Sequence, residues 1–264
     1  MKKNKDKTLS IQVSLNGLSF CIHHNQKINK LYSVEFKSKL TPFDTQNKLK
    51  TELENHLEFV DVFKRVNVIH HNAYVTVVPN LIFDETLKPD YLKFNTKILK
   101  TDFIDADICS AINARVVYIP YTNINNYLID NFNSINYYHT ATYFINCAMR
   151  LKTRPNEVFI NIESKEFQLL IIKDNQFALY LIFEYDTQED LLYYLLFSLE
   201  QLKMNNENLN INISGIIQKN SELYQLIYTY VQYVNFIDVP KNTKFDSKID
   251  ENEISKHNIL LHNL

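Results

Sequence analysis

Two stretches of the chain share one cadence, and that recurrence limits the fold more than any other feature. Residues 9–36 read LSIQVSLNGLSFCIHHNQKINKLYSVEF, and residues 157–185 read EVFINIESKEFQLLIIKDNQFALYLIFEY. Each alternates β-forming apolar and polar residues and breaks twice at turn formers, the pattern of consecutive antiparallel strands. In the first, Asn16-Gly17 is the strongest short hairpin signal, although the short strands it leaves also admit a bulge in one longer strand. A second turn falls at His24–Lys30, and a third strand runs over Leu31–Phe36. In the second copy, strands over Glu157–Ser164, Phe167–Lys173 and Phe177–Tyr185 are joined by Ser164-Lys165-Glu166 and Asp174-Asn175.

After each copy the period lengthens. Thr45–Phe59 places apolar residues at 49, 53 and 57, continued at 60, with charges between, which predicts an amphipathic helix. Strands follow at Val66–His71 and Tyr74–Pro79, then a mixed polar stretch with short helical turns over 80–106. A strand at Ala111–Pro120 and helices at Asn123–Phe132 and Tyr143–Leu151 lead to a connection at Lys152–Asn156. In the second half Thr187, with Asp190 three residues on, caps a helix reaching Lys203. A buried strand at Leu209–Ser214, a helix at Ser221–Tyr233 and a strand at Val234–Val239 complete a β-β-β-α-β-α-β order. The pattern predicts an α/β chain of mixed sheets with helices on both faces, and its repetition predicts duplication. Beyond Pro240 the composition turns polar, so 241–264 is expected as a loosely attached tail, and Met1–Lys7 as a solvated basic arm.

Composition narrows the function classes. The chain has 264 residues and a formal charge of −2, with dispersed lysines, so nothing draws it toward nucleic acid. No window approaches a membrane span, and Leu9–Ile22 is interrupted by Gln12, Ser14, Asn16 and Ser19, so no secretory leader is read. Cys21, Cys109 and Cys147 form no CxxC pair and read as buried apolar residues in a reducing compartment, which places the expected location in the cytoplasm. There are only two glycines, Gly17 and Gly215, where average usage predicts roughly eighteen. Phosphate loops depend on glycine for positive φ and close backbone approach, so such a chain has few places to build one. GxxxxGK[ST], GxGxxG and GxSxG are all absent.

The paired histidines His23-His24 and His70-His71 invite a metal reading. Neighbours on a strand point to opposite faces, so neither pair closes on one ion by itself, and no metal ligand is assigned. His139, just before a predicted helix, is expected as a structural or capping residue. The aromatic residues, among them Phe159, Phe167, Phe177, Tyr193, Tyr194, Tyr224 and Tyr228, fall on core phases and are expected in packing rather than base stacking.

The doubled layout resembles the actin-like ATPase fold, two ribonuclease-H-like units facing each other across a cleft. The pieces that carry the likeness are Glu157–Tyr185, TQEDLLYYLLFSLEQL at 187–202 and LNINISGIIQ at 209–218. More narrowly, LSIQVSLNGLSFCI at 9–22, EDLLYYLLFSLEQL and ISG resemble the bacterial family catalogued as domain of unknown function 3822. The resemblance implies a first unit over 9–152 and a second over 153–240, between an arm at 1–8 and the tail. Actin-like ATPases place an Asp-x-Gly turn after the first strand of each half to hold phosphate and magnesium. Here those places read Ser14-Leu15-Asn16-Gly17 and Asn161-Ile162-Glu163-Ser164, and the Gly-Gly pair that admits adenosine has become Ser214-Gly215. Glu163 alone offers an acid, without its glycine. The resemblance therefore implies a degenerate framework with no catalytic residue and no cofactor, serving as a scaffold for a protein partner. By analogy with actin-like proteins of pilus and secretion machines, that partner is a short peptide of a membrane protein, held in the cleft or at a sheet edge. The alternative is a sensor or weak ATPase that binds Mg-ATP through Asn16, Gly17, Ser164, Lys165, Ser214 and Gly215.

Overall fold

The computed structural model describes residues 7–56, 63–94, 96–132, 134–205 and 209–264. The basic arm expected over 1–8 falls almost wholly outside them, as do Leu57 and Val60 of the first predicted helix. The chain opens with β1 (Thr8–Val13), β2 (Gly17–His24), β3 (Lys27–Glu35), α1 (Pro42–Asn55) and β4 (Arg65–His70). An insertion follows with β5 (Val75–Pro79), α2 (Lys88–Leu92), β6 (Asp105–Cys109) and β7 (Ala114–Tyr118). Then come α3 (Thr122–Phe132), β8 (Asn136–His139) and α4 (Thr140–Leu151). The second half contains β9 (Glu157–Ile162), β10 (Glu166–Lys173), β11 (Gln176–Glu184), α5 (Gln188–Gln201), β12 (Asn210–Gly215), α6 (Glu222–Tyr230) and β13 (Tyr233–Phe236). The chain closes with β14 (Lys244–Phe245), α7 (Glu251–Lys256) and α8 (Asn258–Leu261).

The predicted duplication is visible in the strand orders. The first sheet runs β14-β3-β2-β1-β4-β8 and the second β11-β10-β9-β12-β13, so both halves place their strands third, second, first, fourth, fifth. In each, the opening three strands are antiparallel, the fourth pairs with the first in parallel, and the fifth pairs with the fourth in parallel. The insertion makes a separate antiparallel sheet, β5-β7-β6.

Local chemistry accounts for the turns. Asn16-Gly17 closes a true hairpin rather than a bulge: Ser14 N donates to Gly17 O at 3.0 Å, and a Cβ at Gly17 would lie 2.7 Å from Val34 O. Asp174 and Asn175 take positive φ at the last hairpin, as Asp and Asn tolerate. Thr187 and Asp190 form the full capping box of α5. His139 caps α4, its Nδ1 accepting from Ala141 N at 3.0 Å.

Apolar layers cover both faces of each sheet. Leu9, Ile11, Val13 and Phe20 pack with Leu49 and Leu53 of α1 and Ile124 and Leu128 of α3. Ile160, Leu169 and Ile213 pack with Leu191, Leu195 and Leu199 of α5 and Ile227 of α6. Phe144 and Ile145 of α4 fill the other face of the second sheet against Phe159, Leu170 and Ile172.

The sequence reading differs from the structure at several element ends, with β3 starting already at Lys27, α4 at Thr140 and α6 ending at Tyr230, and in four larger respects. The expected strand at Ala111–Pro120 begins as a 3-10 turn over Ser110–Ile112, and left-handed Asn113 delays β7 to Ala114. β6 and β8 are not expected from the sequence: two of the five residues of β6 are acidic, and β8 has only four residues. Tyr193 and Tyr228, expected in the core, are 61% and 53% exposed. Residues 241–264 are no loose tail: β14 pairs with β3, and Leu260 and Leu261 pack under the first sheet with Cys21, Ile28 and Ile69. Phe245, Ile249 and Ile254 pack half-buried against the same cluster, apolar residues spaced too widely among polar ones to show in a composition average.

Candidate functional site

The two hairpins that would face a phosphate in an actin-like fold meet directly. In the β1–β2 turn the backbone amides of Asn16 and Gly17 both donate to Ser14 Oγ, at 3.1 and 3.0 Å. Amides that could cradle an anion are thus satisfied within the turn. Asn16 Nδ2 reaches across to Glu166 Oε1 at 3.0 Å, and Gln12 Nε2 to Glu163 Oε1 at 3.5 Å. The β9–β10 turn is closed by Glu163 N on Glu166 O at 2.9 Å and by Tyr185 Oη on Glu163 O at 2.7 Å.

Between the hairpins sits His71, delivered by the end of β4 and fully buried. Its Nε2 lies 3.1 Å from Glu166 Oε1 and 3.9 Å from Glu163 Oε2, and its Nδ1 is 2.8 Å from Thr140 Oγ1 at the start of α4. The contact with Glu166 lies off the line of the ring N–H, so it is electrostatic rather than an aligned hydrogen bond. Burial opposes an imidazolium here, yet the two carboxylates outweigh it and push His71 up to about 9. Burial alone would raise the Glu166 carboxyl, but His71 and the Asn16 amide bring it below its ordinary value; Glu163 stays raised, by burial first. The neighbouring imidazoles are neutral. Burial lowers His70 to about 4, with Asn125 Oδ1 accepting at 2.9 Å, and lowers His139, which the His71 charge also repels. His70 and His71 thus serve different partners, as opposite faces of a strand require.

The space left is small. Gln12, Ser14, Asn16, Gly17, Glu163 and Ser164 line a cavity of about 60 Å³, and Gln12, Thr140 and Glu163 help line another of about 20 Å³. His257 and Lys256 line both from the C-terminal segment, with Lys256 Nζ 3.3 Å from Glu35 Oε1. A wider groove of about 620 Å³ opens beside Asn16, Ser164 and Lys165, between the loop after β3 and the start of α5. Lys39 and Glu184 pair across it, and Glu35, Asp186 and Asp190 line it too.

The structure therefore gathers Asn16, Gly17, Ser164 and Lys165 around one region. Ser214 and Gly215 are committed to the sheet: Ser214 Oγ donates to Asn161 Oδ1 at 2.8 Å, and Gly215, at φ +94°, abuts the Ile162 backbone. A Cβ there would sit 2.0 Å from Ile162 O, so the glycine is required by strand packing. The triad of His71, Glu163 and Glu166 is what sequence reasoning missed. Both signals were visible, His70-His71 and the acid at 163, but their proximity depends on how the two halves face each other.

A second feature lies on the far edge of the second sheet. β11 is an edge strand, and Leu179, Leu181 and Phe183 along it form, with Tyr193, Tyr194 and Phe197 of α5, an almost wholly apolar groove of about 340 Å³. Leu181 and Phe197 are 38% and 45% exposed.

A family model described as protein of unknown function (DUF3822) matches residues 1–234. No curated protein matches the chain. Among solved structures, a protein of actin-like ATPase fold and unknown function from Bacteroides thetaiotaomicron VPI-5482 is similar, with a TM-score of 0.78 and 21% identity over 89% of this chain and 92% of that one. A chain of the PilM–PilN type IV pilus biogenesis complex is similar with a TM-score of 0.66 and 13% identity, over 97% of this chain and 96% of that one. These likenesses show the actin-like ATPase fold. No helix among the described residues is long and apolar enough to cross a membrane.

Proposed function

The chain belongs to the DUF3822 family of proteins of unknown function, and from that premise we propose that it holds a protein partner rather than turning over a nucleotide. The observation that carries this reading is the direct bridging of the two phosphate-facing hairpins by Asn16–Glu166 and Gln12–Glu163, with His71 between the carboxylates. On this reading the residues there do not fit Mg-ATP. Ligand pockets are commonly about 300–1,000 Å³, and the cavity between the hairpins is about 60 Å³. The loop amides already have an acceptor in Ser14, and Glu163 and Glu166 repel a triphosphate. The wider groove could admit a nucleotide by volume, which is the one observation favouring the alternative reading. However, Lys37, Lys39 and Lys165 share its lining with Glu35, Glu184, Asp186 and Asp190, and Lys39 is paired with Glu184, so it offers no net attraction for an anion.

The groove between β11 and α5 has the size and the apolar lining for a partner's side chains, beside a strand edge that can accept an added strand. A partner peptide with alternating apolar residues matches that arrangement. The similar chain in the PilM–PilN complex gives the fold a precedent for assembly with another protein. The test is capture of a partner by the wild-type chain and by a Leu181→Glu/Phe197→Glu variant. Both side chains are substantially exposed, so the variant is expected to keep its melting temperature and lose the partner. Equal capture by both chains, or no reproducible partner, removes the proposal.

A further inference from the structure

We propose that His71, Glu163 and Glu166 form a binding site for one first-row divalent cation, Zn²⁺ or Co²⁺ in preference to Mg²⁺. The site joins the two halves, since His71 follows β4 and the glutamates flank the β9–β10 turn. Three features on independent elements point to it.

The first is spacing. One ligand atom from each residue lies within 4.8 Å of the other two. A tetrahedral ion at about 2.0–2.2 Å from each ligand needs separations near 3.4 Å, so a shift of well under the length of one bond per carboxylate closes the set. Nε2 already lies 3.1 Å from Glu166 and 3.9 Å from Glu163.

The second is outer support of the kind that metal-bound imidazoles and carboxylates carry. Thr140 Oγ1 at 2.8 Å holds Nδ1 and turns Nε2 toward the carboxylates. Gln12 holds Glu163 Oε1, leaving Oε2 as the oxygen that faces His71, and Asn16 steadies Glu166. The third is that buried Nε2 has no aligned hydrogen bond although it points between two acids. Once the imidazolium proton that faces Glu163 and Glu166 is displaced, two carboxylates and a ring nitrogen lone pair are three acceptors, and a cation is the group that satisfies all of them at once. The cavities of about 60 and about 20 Å³ beside Glu163 each have space for a water, which needs about 10–15 Å³, to complete the coordination. The imidazole donor favours zinc or cobalt over magnesium. His257 also lines both cavities.

The experiment uses the untagged full chain, stripped with a chelator and titrated with Co²⁺, Zn²⁺ and Mg²⁺ by calorimetry and by Co²⁺ visible absorption. One Co²⁺ or Zn²⁺ per chain is expected, with Mg²⁺ much weaker. Glu163→Gln, at a quarter-exposed side chain, is expected to fold and to weaken binding by about tenfold or more. His71→Gln is expected to abolish the ligand-field bands. If His71→Gln does not fold, the Glu163→Gln titration and the Co²⁺-shifted His71 ring signals of the wild type carry the test. Failure of the wild-type chain to bind any of the ions at millimolar concentration overturns the proposal. So does binding that is unchanged in Glu163→Gln and Glu166→Gln, which would place the ion on other histidines such as His23 and His24. Neither result bears on the β11 groove, so this proposal and the partner reading stand or fall separately.

Discussion

Raising the pH through the titration of His71 is expected to loosen the clasp between the two halves. His71 is pushed from 6.5 up to about 9 in the folded chain. A group whose folded value is raised contributes its full stability below the unfolded value and loses it as pH climbs through the folded one. The window is therefore pH 6.5 to about 9. At ~1.4 kcal/mol per pH unit the loss across it is ~3 kcal/mol, the lower end of what breaking a buried ion pair costs. Facing His71 are Glu163 and Glu166 from the hairpin, Thr140 from α4 and His139 from β8. His139 and His70 are kept neutral by burial, so they act in the opposite sense and below this window. The thiols of Cys21, Cys109 and Cys147, pushed up by burial, act above it. Urea unfolding with chelator present, at steps from pH 6 to 9.5, reads the effect directly. The wild-type chain loses ~3 kcal/mol across the window, and a Glu163→Gln/Glu166→Gln chain, with no charge facing His71, stays flat. A wild-type chain that is flat or gains stability, or a variant that keeps the slope, refutes the reasoning.

Other perturbations read other parts of the frame. Gly215→Ala places a Cβ 2.0 Å from Ile162 O at a positive φ, and a loss of at least about 2 kcal/mol is expected in chemical denaturation. Leu260→Ala, at a site 3% exposed, is expected to cost about 2–4 kcal/mol, where a loose tail would give no change. Thr140→Val removes the partner of His71 Nδ1 and is expected to lower stability by about 1–3 kcal/mol, with the pH slope altered.

The architecture was legible because it is written in local patterns. The strand-turn-strand phrases at 9–36 and 157–185, the amphipathic Leu49 and Leu53, and the Thr187 cap each announce an element within a dozen residues. What stayed hidden depends on long separations. His71 and Glu166 stand 95 positions apart, and no local period connects them. Asn16 was visible as a turn residue, whereas its side-chain bond to Glu166 required both hairpins in place. Gly215 reads as a relic of a nucleotide motif until the Ile162 backbone is seen against it. The C-terminal segment escaped notice because its few buried residues, Ile259 to Leu261, are diluted among polar ones. The exposed Tyr193 and Phe197 show the converse: helical spacing marks an apolar face without saying whether the protein itself covers it.

On the proposed function, the protein's own side chains close the cleft against a triphosphate. Calorimetric titration of the full chain with Mg-ATP, to millimolar ligand at low ionic strength, tests it most directly. No measurable heat and no rise in melting temperature are the predicted results. A saturable 1:1 isotherm that Asn16→Ala or Lys165→Ala weakens would contradict the account.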